Sequence, residues 1–117
     1  MSAEQIREFV ARFYAALDAG DADTASALFP DGTEIHLWDG RTFRTQAEFR
    51  AWFETLRAQS ADARRHVVAL EVTGNTADVE VVLHASVDGE ERTVALRHRF
   101  QFEGDRLVRV TVEITPL

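Results

Sequence analysis

The sequence predicts an α+β domain in which three helices pack on one face of a curved antiparallel sheet. Three observations carry this. Apolar residues recur at helical spacing in the first half, alternate at strand spacing in the second, and are interrupted by turn dipeptides at each boundary. From Ala3 to Ala19, Ile6, Phe9, Val10, Phe13 and Leu17 follow an i, i+3, i+4, i+7 pattern, and Gly20 stops the helix. A short second helix is expected from about Asp21 to Phe29, with acids in its first turn, followed by the turn Pro30-Asp31-Gly32. Thr33–Trp38 and Arg41–Arg44 read as short strands joined by a two-residue Asp39-Gly40 hairpin. Thr45-Gln46-Ala47-Glu48 is a capping box, opening a third helix with an inward face of Phe49, Trp52, Phe53 and Leu56. After the polar stretch Gln59–Arg64 come four strands, His66–Thr73, Thr76–Val87, Arg92–Glu103 and Arg106–Thr115. Gly74-Asn75, Asp88-Gly89 and Gly104-Asp105 separate them.

Register follows from the turns. A two-residue Asp88-Gly89 loop sets Val79 opposite His98, Val81 opposite Leu96 and Leu83 opposite Val94 on one face. The other face then pairs Asp78 with Arg99 and Glu80 with Arg97, two favourable cross-strand charge pairs. A two-residue Gly104-Asp105 loop would turn Val108, Val110, Val112 and Ile114 to the charged face. An odd loop from Glu103 to Asp105 is therefore expected, setting Val110 opposite His98.

Composition removes whole classes of function. The 117 residues make one domain. No apolar run approaches the ~20 residues of a membrane-spanning helix. The opening Met1–Arg7 lacks the apolar core of a secretory signal, so a cytoplasmic protein is expected. Cysteine is absent, and all 13 cationic side chains are arginines, which excludes a thiolate nucleophile and a Schiff-base lysine. A net charge of −7 disfavours nucleic acid and anionic membranes as partners. What remains is the chemistry or binding of a small molecule, or a purely structural role.

Few polar groups fall on the apolar faces. His98 shares a strand face with Val94, Leu96, Phe100 and Phe102, where an unpaired imidazole would cost roughly 1–3 kcal/mol. A hydrogen-bonded core histidine is the plain explanation. Tyr14 gives another, because Ile6, Val10, Tyr14 and Asp18 form one i, i+4 ridge that runs from apolar side chain to phenol to carboxylate. Asp18 sits at the helix end that disfavours an anion, which suggests a cationic partner. Strict alternation back from Leu70 puts His66 inside; Arg65 turns inward only if the Val67–Leu70 run contains a bulge. His36, His66 and His84 lack metal-ligand spacing and read as surface or rim residues, so no metal site is expected. The outer strand face, with Asp78, Glu80, Arg97, Arg99 and Gln101, suits water better than a partner and predicts a monomer.

The string from Tyr14, YAALDAGDADTASALFPDG, followed by IHLWDG and the next helix, resembles the opening of SnoaL-like and NTF2-like proteins, and the likeness extends over the whole chain. It implies an NTF2-like cone with a pocket between the long helix and the concave sheet. A narrower resemblance is to de novo designed luciferases on idealised NTF2-like scaffolds. The segments EQIR, FY, ALD, GDADTA and IHLWDG carry it, with the spacing to the last strands. It implies oxidation of diphenylterazine, an imidazopyrazinone analogue of coelenterazine, with O₂ as co-substrate and no cofactor, giving light, CO₂ and an amide. The functional pairs of those designs fall on Tyr14 with His98 and on Asp18 with Arg65. Arg65, held by Asp18, would stabilise negative charge, and His98, bonded to Tyr14, would accept or relay a proton near neutral pH.

The same resemblance implies an apolar wall that keeps water from the emitter. The helices would supply Phe13, Phe49, Trp52, Phe53 and Leu56, and the early strand pair Trp38. The long strands would add Val81, Leu83, Leu96, Phe100, Val110 and Val112. Departures from the designs at Leu96, Phe100 and Val110 bear on substrate preference. Two other functions fit the same pocket: an isomerase, cyclase or hydrolase using His98 or Asp39 as base, or a ligand-binding scaffold without catalysis.

Overall fold

The structure, a computed structural model, describes residues 1–115. Helix α1 (Ala3–Ala19) begins with a full capping box: the Ser2 hydroxyl accepts from the Gln5 N–H at 3.1 Å, and the Gln5 side chain accepts from the Ser2 N–H at 2.8 Å. It ends at Gly20 in the left-handed conformation, φ 71°, whose N–H returns to the carbonyls of Ala16 and Leu17. Asp21 caps the short α2 (Ala22–Ala27). Strands β1 (Glu34–His36) and β2 (Thr42–Phe43) precede α3 (Gln46–Gln59), and then come β3 (Arg64–Thr73), β4 (Thr76–Val87), β5 (Glu90–Glu103) and β6 (Arg106–Thr115). At the start of α3 the Thr45 hydroxyl accepts from the Glu48 N–H. The Glu48 carboxylate returns one residue further back than in a standard box, to the Arg44 N–H.

The six strands form one open sheet in the order β2-β1-β6-β5-β4-β3. It is mixed rather than wholly antiparallel, because β1 lies parallel to β6, with Ile35 beside Val110. Parallel neighbours need a long crossover, and everything from β2 to β5 supplies it here. A three-residue strand carries no pattern that names its partner.

The hairpin between β1 and β2 also differs from expectation. Ile35 pairs with Phe43, and Leu37 N–H donates to Arg41 C=O, which leaves the three-residue loop Trp38-Asp39-Gly40 in place of a two-residue turn. This register keeps Ile35 opposite Phe43, which packs on Trp52 at 5.7 Å. A two-residue loop would have set Ile35 opposite Arg44.

The β4–β5 register is the one the Asp88-Gly89 turn predicts, with Val79 opposite His98 and Glu80 opposite Arg97. The β5–β6 register is reached by another route. The Gly104-Asp105 loop has two residues, not three, so Glu103 pairs with Arg106 and Phe102 with Leu107. A bulge at Val108 then shifts the ladder, so that Phe100 meets Val110 and His98 meets Val112, not Val110. The extra residue does what an odd loop would have done, and it lets Leu107 and Val110 both point into the core. A second bulge lies in β3, where Val67 pairs with Val81 and Ala69 with Glu80, leaving Val68 unpaired and 58% exposed. On the far side of that bulge Arg65, and not His66, faces inward.

The helices meet the inward face through aromatic rings. Phe9 on α1 stacks edge-on to Phe102 at 5.3 Å, Phe13 meets Phe29 at 5.3 Å, and Phe29 meets Phe49 of α3 at 4.7 Å. The outward face carries ion pairs Arg97–Glu80 and Arg99–Asp78, whose exposure to water and salt leaves them little weight in stability.

Gly20 is required by its conformation. A Cβ there would also run into the Arg57 guanidinium, which lies over the end of α1 and supplies the cation that its last turn lacks. Gly20→Ala should lower stability by about 1–2 kcal/mol, from the left-handed backbone alone or more, read as a reduced urea midpoint at unchanged m value.

Candidate active site

A cavity of about 190 Å³ lies between α1, α3 and the sheet. It exceeds the ~150 Å³ void that suffices to admit benzene. Helix α1 contributes Phe13 and Leu17, and α3 contributes Phe49, Trp52, Phe53 and Leu56. The long strands contribute Leu83, Leu96, Val110 and Val112, with Val94 and Ile114 near the opening. The remaining wall is Phe29, Ile35, Leu37 and Trp38; Trp38 is 46% exposed and Ile114 40%, which places them at the rim.

Two residues expected in this wall lie behind it. Phe100 is wholly buried beneath the rings of Phe9, Phe13 and Tyr14, and Val81 is buried in the same cluster, so neither reaches the cavity. Helix α1 covers that end of the sheet face, and inward direction alone does not distinguish a core position from a lining one. Leu17, Val94 and Ile114 were legible as inward positions. Ile35 and Leu37 were not, because their place depends on the β1–β6 pairing, and Phe29 was not, because it is placed by the rings of Phe13 and Phe49 from two different helices.

Two polar pairs interrupt the apolar wall. Tyr14, four residues before Asp18 on α1, reaches across to β5, where its hydroxyl lies 2.7 Å from His98 Nδ1, with both side chains buried. Asp18 accepts from Arg65 Nη1 at 3.1 Å and from the Arg65 backbone N–H at 3.2 Å, which fixes the start of β3 as well as its guanidinium. The Arg65 side chain is 10% exposed and that of Asp18 31%.

The protons can be assigned by counting partners. The phenol hydrogen has one acceptor among the described residues, His98 Nδ1, so the phenol donates and Nδ1 accepts. The imidazole proton then sits on Nε2. That nitrogen has no partner among the described residues and yet is not a sealed unpaired atom, so it opens to the cavity His98 lines. Burial, and secondarily the positive charge of Arg65, lowers the His98 pKa to about 3. Burial raises that of Tyr14, partly offset by Arg65, so the phenol stays protonated. At neutral pH the site therefore offers two kinds of N–H to a bound ligand: the Arg65 cation and a neutral Nε2–H donor. Such a pair suits a ligand oxygen or nitrogen on which negative charge develops. It differs from the expected proton acceptor, since His98 gains a proton only with difficulty.

The other polar candidates stay outside. Asp39 is exposed on its loop, with its carboxylate on the Arg41 N–H and Nε. His36 is held by Glu34 and Thr42, His84 by Thr93, and His66 is exposed. Among the described residues no three His, Cys, Asp or Glu side chains converge to hold a metal ion. No helix among them is long and apolar enough to cross a membrane.

A helix-covered open sheet around an apolar cavity with a few convergent polar groups defines an NTF2-like α+β protein. Residues 10–110 match the SnoaL-like domain family, and the chain belongs to that family. Solved structures with the same fold include a Jannaschia sp. CCS1 protein assigned as a SnoaL-like polyketide cyclase. It is 15% identical, with TM-score 0.85 over 97% of this chain and 89% of that one. A protein of ketosteroid isomerase-like fold from Catenulispora acidiphila DSM 44928, solved in complex with trimethylamine, is 15% identical, with TM-score 0.81 over 90% and 83%. An LEH-like epoxide hydrolase from M. tuberculosis is 13% identical, with TM-score 0.78 over 92% and 80%. At these identities the likeness is one of fold. No curated protein sequence matches the chain.

The depressed His98 pKa has a thermodynamic consequence. Because the unfolded chain binds this proton near pH 6.5 and the native chain only near 3, the contribution is complete above 6.5 and is lost as pH falls. Between pH 6 and 4 the unfolding free energy should fall by up to about 1.4 kcal/mol per pH unit more steeply than in His98→Phe. Urea titrations of both proteins across that range should show the difference; parallel curves would mean that His98 titrates normally.

Proposed function

We propose that this protein is a cofactor-independent luciferase that oxidises an imidazopyrazinone of the diphenylterazine type with O₂. The observation that carries the reading is the pairing of Arg65 and the His98 Nε2–H on the wall of an otherwise apolar cavity. The substrate must lose a proton to become the electron-rich anion that reacts with O₂. Arg65, fixed by Asp18, favours that anion in a medium of low dielectric constant. Its peroxide closes on the ring carbonyl to a dioxetanone. That ring then expels CO₂, which takes the carbonyl and one atom of the O₂, and the other atom remains in the excited amide. His98 serves as a neutral donor to the developing charge, and Tyr14 holds it in that tautomer as a positioning residue. The substrate proton leaves through water at the rim, since Nδ1 is occupied by the phenol. The surrounding Phe, Leu and Val side chains keep water from the emitter.

A SnoaL-type isomerase or cyclase is the second reading, favoured by the family and by the same two donors, which also suit an enolate. It needs a base inside the cavity. Asp39 lies outside it and His98 resists protonation.

The ion-paired outer face also supports a monomer, because pairs already satisfied within one chain offer a second copy little. A sizing column should give a single species of monomer size at micromolar concentration, and a dimer there would overturn this.

The reaction is tested by photon emission on mixing purified protein with diphenylterazine in air. Light well above buffer is expected, falling roughly 10²-fold in His98→Ala and in Arg65→Ala, as for loss of a charge-stabilising donor. Darkness from a protein that neither binds nor consumes the substrate would return the function to the isomerase or binding readings.

A further inference from the structure

Arg65 stands between two cavities. Beyond it, away from the rim formed by Trp38, lies a second chamber of about 150 Å³ that shares five walls with the first: Leu17, Phe53, Leu56, Arg65 and Leu83. The new walls are three apolar side chains, Ala63, Ala85 and Val87, and three polar ones, Arg57, Gln59 and Ser60; Ala63 and Ala85 lie side by side, one rung beyond the Arg64–His84 pair of β3 and β4. The Asp62 carboxylate accepts from the Ser60 hydroxyl and from the Ser86 N–H, both at 3.0 Å, joining the turn after α3 to β4.

Size makes the second chamber matter. The first alone falls short of the roughly 300–1,000 Å³ typical of pockets that enclose a drug-sized ligand, and the two volumes together reach the lower end of that range. The wall between them is made of side-chain ends. Leu56 is half-buried, and Arg65 is held at one nitrogen while its other N–H groups have no partner among the described residues. None of those nitrogens is sealed from open space.

We infer that the ligand site is two-lobed, with Arg65 as its waist. It takes a rigid ligand with an aromatic arm on each side of a central acceptor or anionic heteroatom. The central atom receives the free guanidinium N–H groups, one arm lies against Trp52 in the first lobe, and the other lies over Ala63 and Ala85 in the second. These alanines are then specificity-determining residues, because their small size makes room for the second arm. The inference rests on the luciferase reading for the identity of the ligand and not for the shape of the site.

The test is binding without turnover, in the absence of O₂. Trp38→Phe leaves Trp52 as the single tryptophan, since the chain has two. Quenching of Trp52 fluorescence then reports occupancy by diphenylterazine or by its analogue with one phenyl group replaced by hydrogen. Ala85→Phe, which fills the second lobe, should raise Kd for diphenylterazine tenfold or more and for the one-armed analogue less than threefold. Ala63→Phe fills the same lobe from the neighbouring strand and should do the same if Ala85→Phe fails to fold. Equal changes for both ligands in a folded variant, or no change for either, would overturn the two-lobed site, as would failure of the parent to bind diphenylterazine. A protein that binds with the expected selectivity but emits no light in air keeps the two lobes and loses the luciferase reading. Emission with diphenylterazine binding unaffected by Ala85→Phe keeps the luciferase reading and removes the second lobe.

Discussion

Helix α1 carries two polar side chains on one ridge, Tyr14 and Asp18, four residues apart, and each must find its partner on a different strand of the sheet below. Tyr14 meets His98 on β5, and Asp18 meets Arg65 on β3. The docking of the helix, the inward turn of Arg65 and the tautomer of His98 all follow from satisfying these two pairs at once. The requirement is strict because each group is wholly or partly removed from water. A buried donor left unmade costs roughly 1–3 kcal/mol, whereas each bond made contributes only about 1 kcal/mol net. The pairs therefore specify geometry more than they add stability, and apolar burial by Ile6, Val10, Phe49, Val79 and Leu107 supplies the stability.

Two bulges make that geometry possible. At Val68 one extra residue reverses the alternation of β3, so that Leu70 and Arg65, which strict alternation would separate, both face the helices. At Val108 another extra residue keeps Leu107 and Val110 on the same inward face and sets His98 opposite Val112. Each places one residue outside the ladder, and each re-aims the residues on which the cavity depends. The neutrality of His98 is a consequence of the same packing. The burial that makes its bond to Tyr14 selective also lowers its affinity for a proton, and the positive Arg65 adds to that effect. In place of a base, the pocket holds a pair of donors.

The sequence by itself determined the α+β class, the places of the long helices and strands (with β3 and β5 each beginning two residues earlier than expected, at Arg64 and Glu90), the β4–β5 register, and the short set of polar residues that do not suit an apolar wall. These follow from local causes: helical and strand periodicity, caps, and turns whose geometry counts residues. Gly20, Thr45 and Asp88-Gly89 act within a few residues of themselves, so their effect can be read along the chain. The tertiary structure alone decided which strand lies beside β1, whether the last hairpin corrects its register in the loop or by a bulge, and which inward residues line the cavity. Strand β1 is too short for a pattern, and its partner is 75 residues away. The Glu103–Asp105 loop and the Val108 bulge satisfy the same alternation, and packing of both Leu107 and Val110 selects the second. Phe100 and Leu96 look alike in sequence, two positions apart on one face. Only the passage of α1 over the sheet makes one core and the other wall, because burial is set by what crosses above a strand and not by the strand's own pattern.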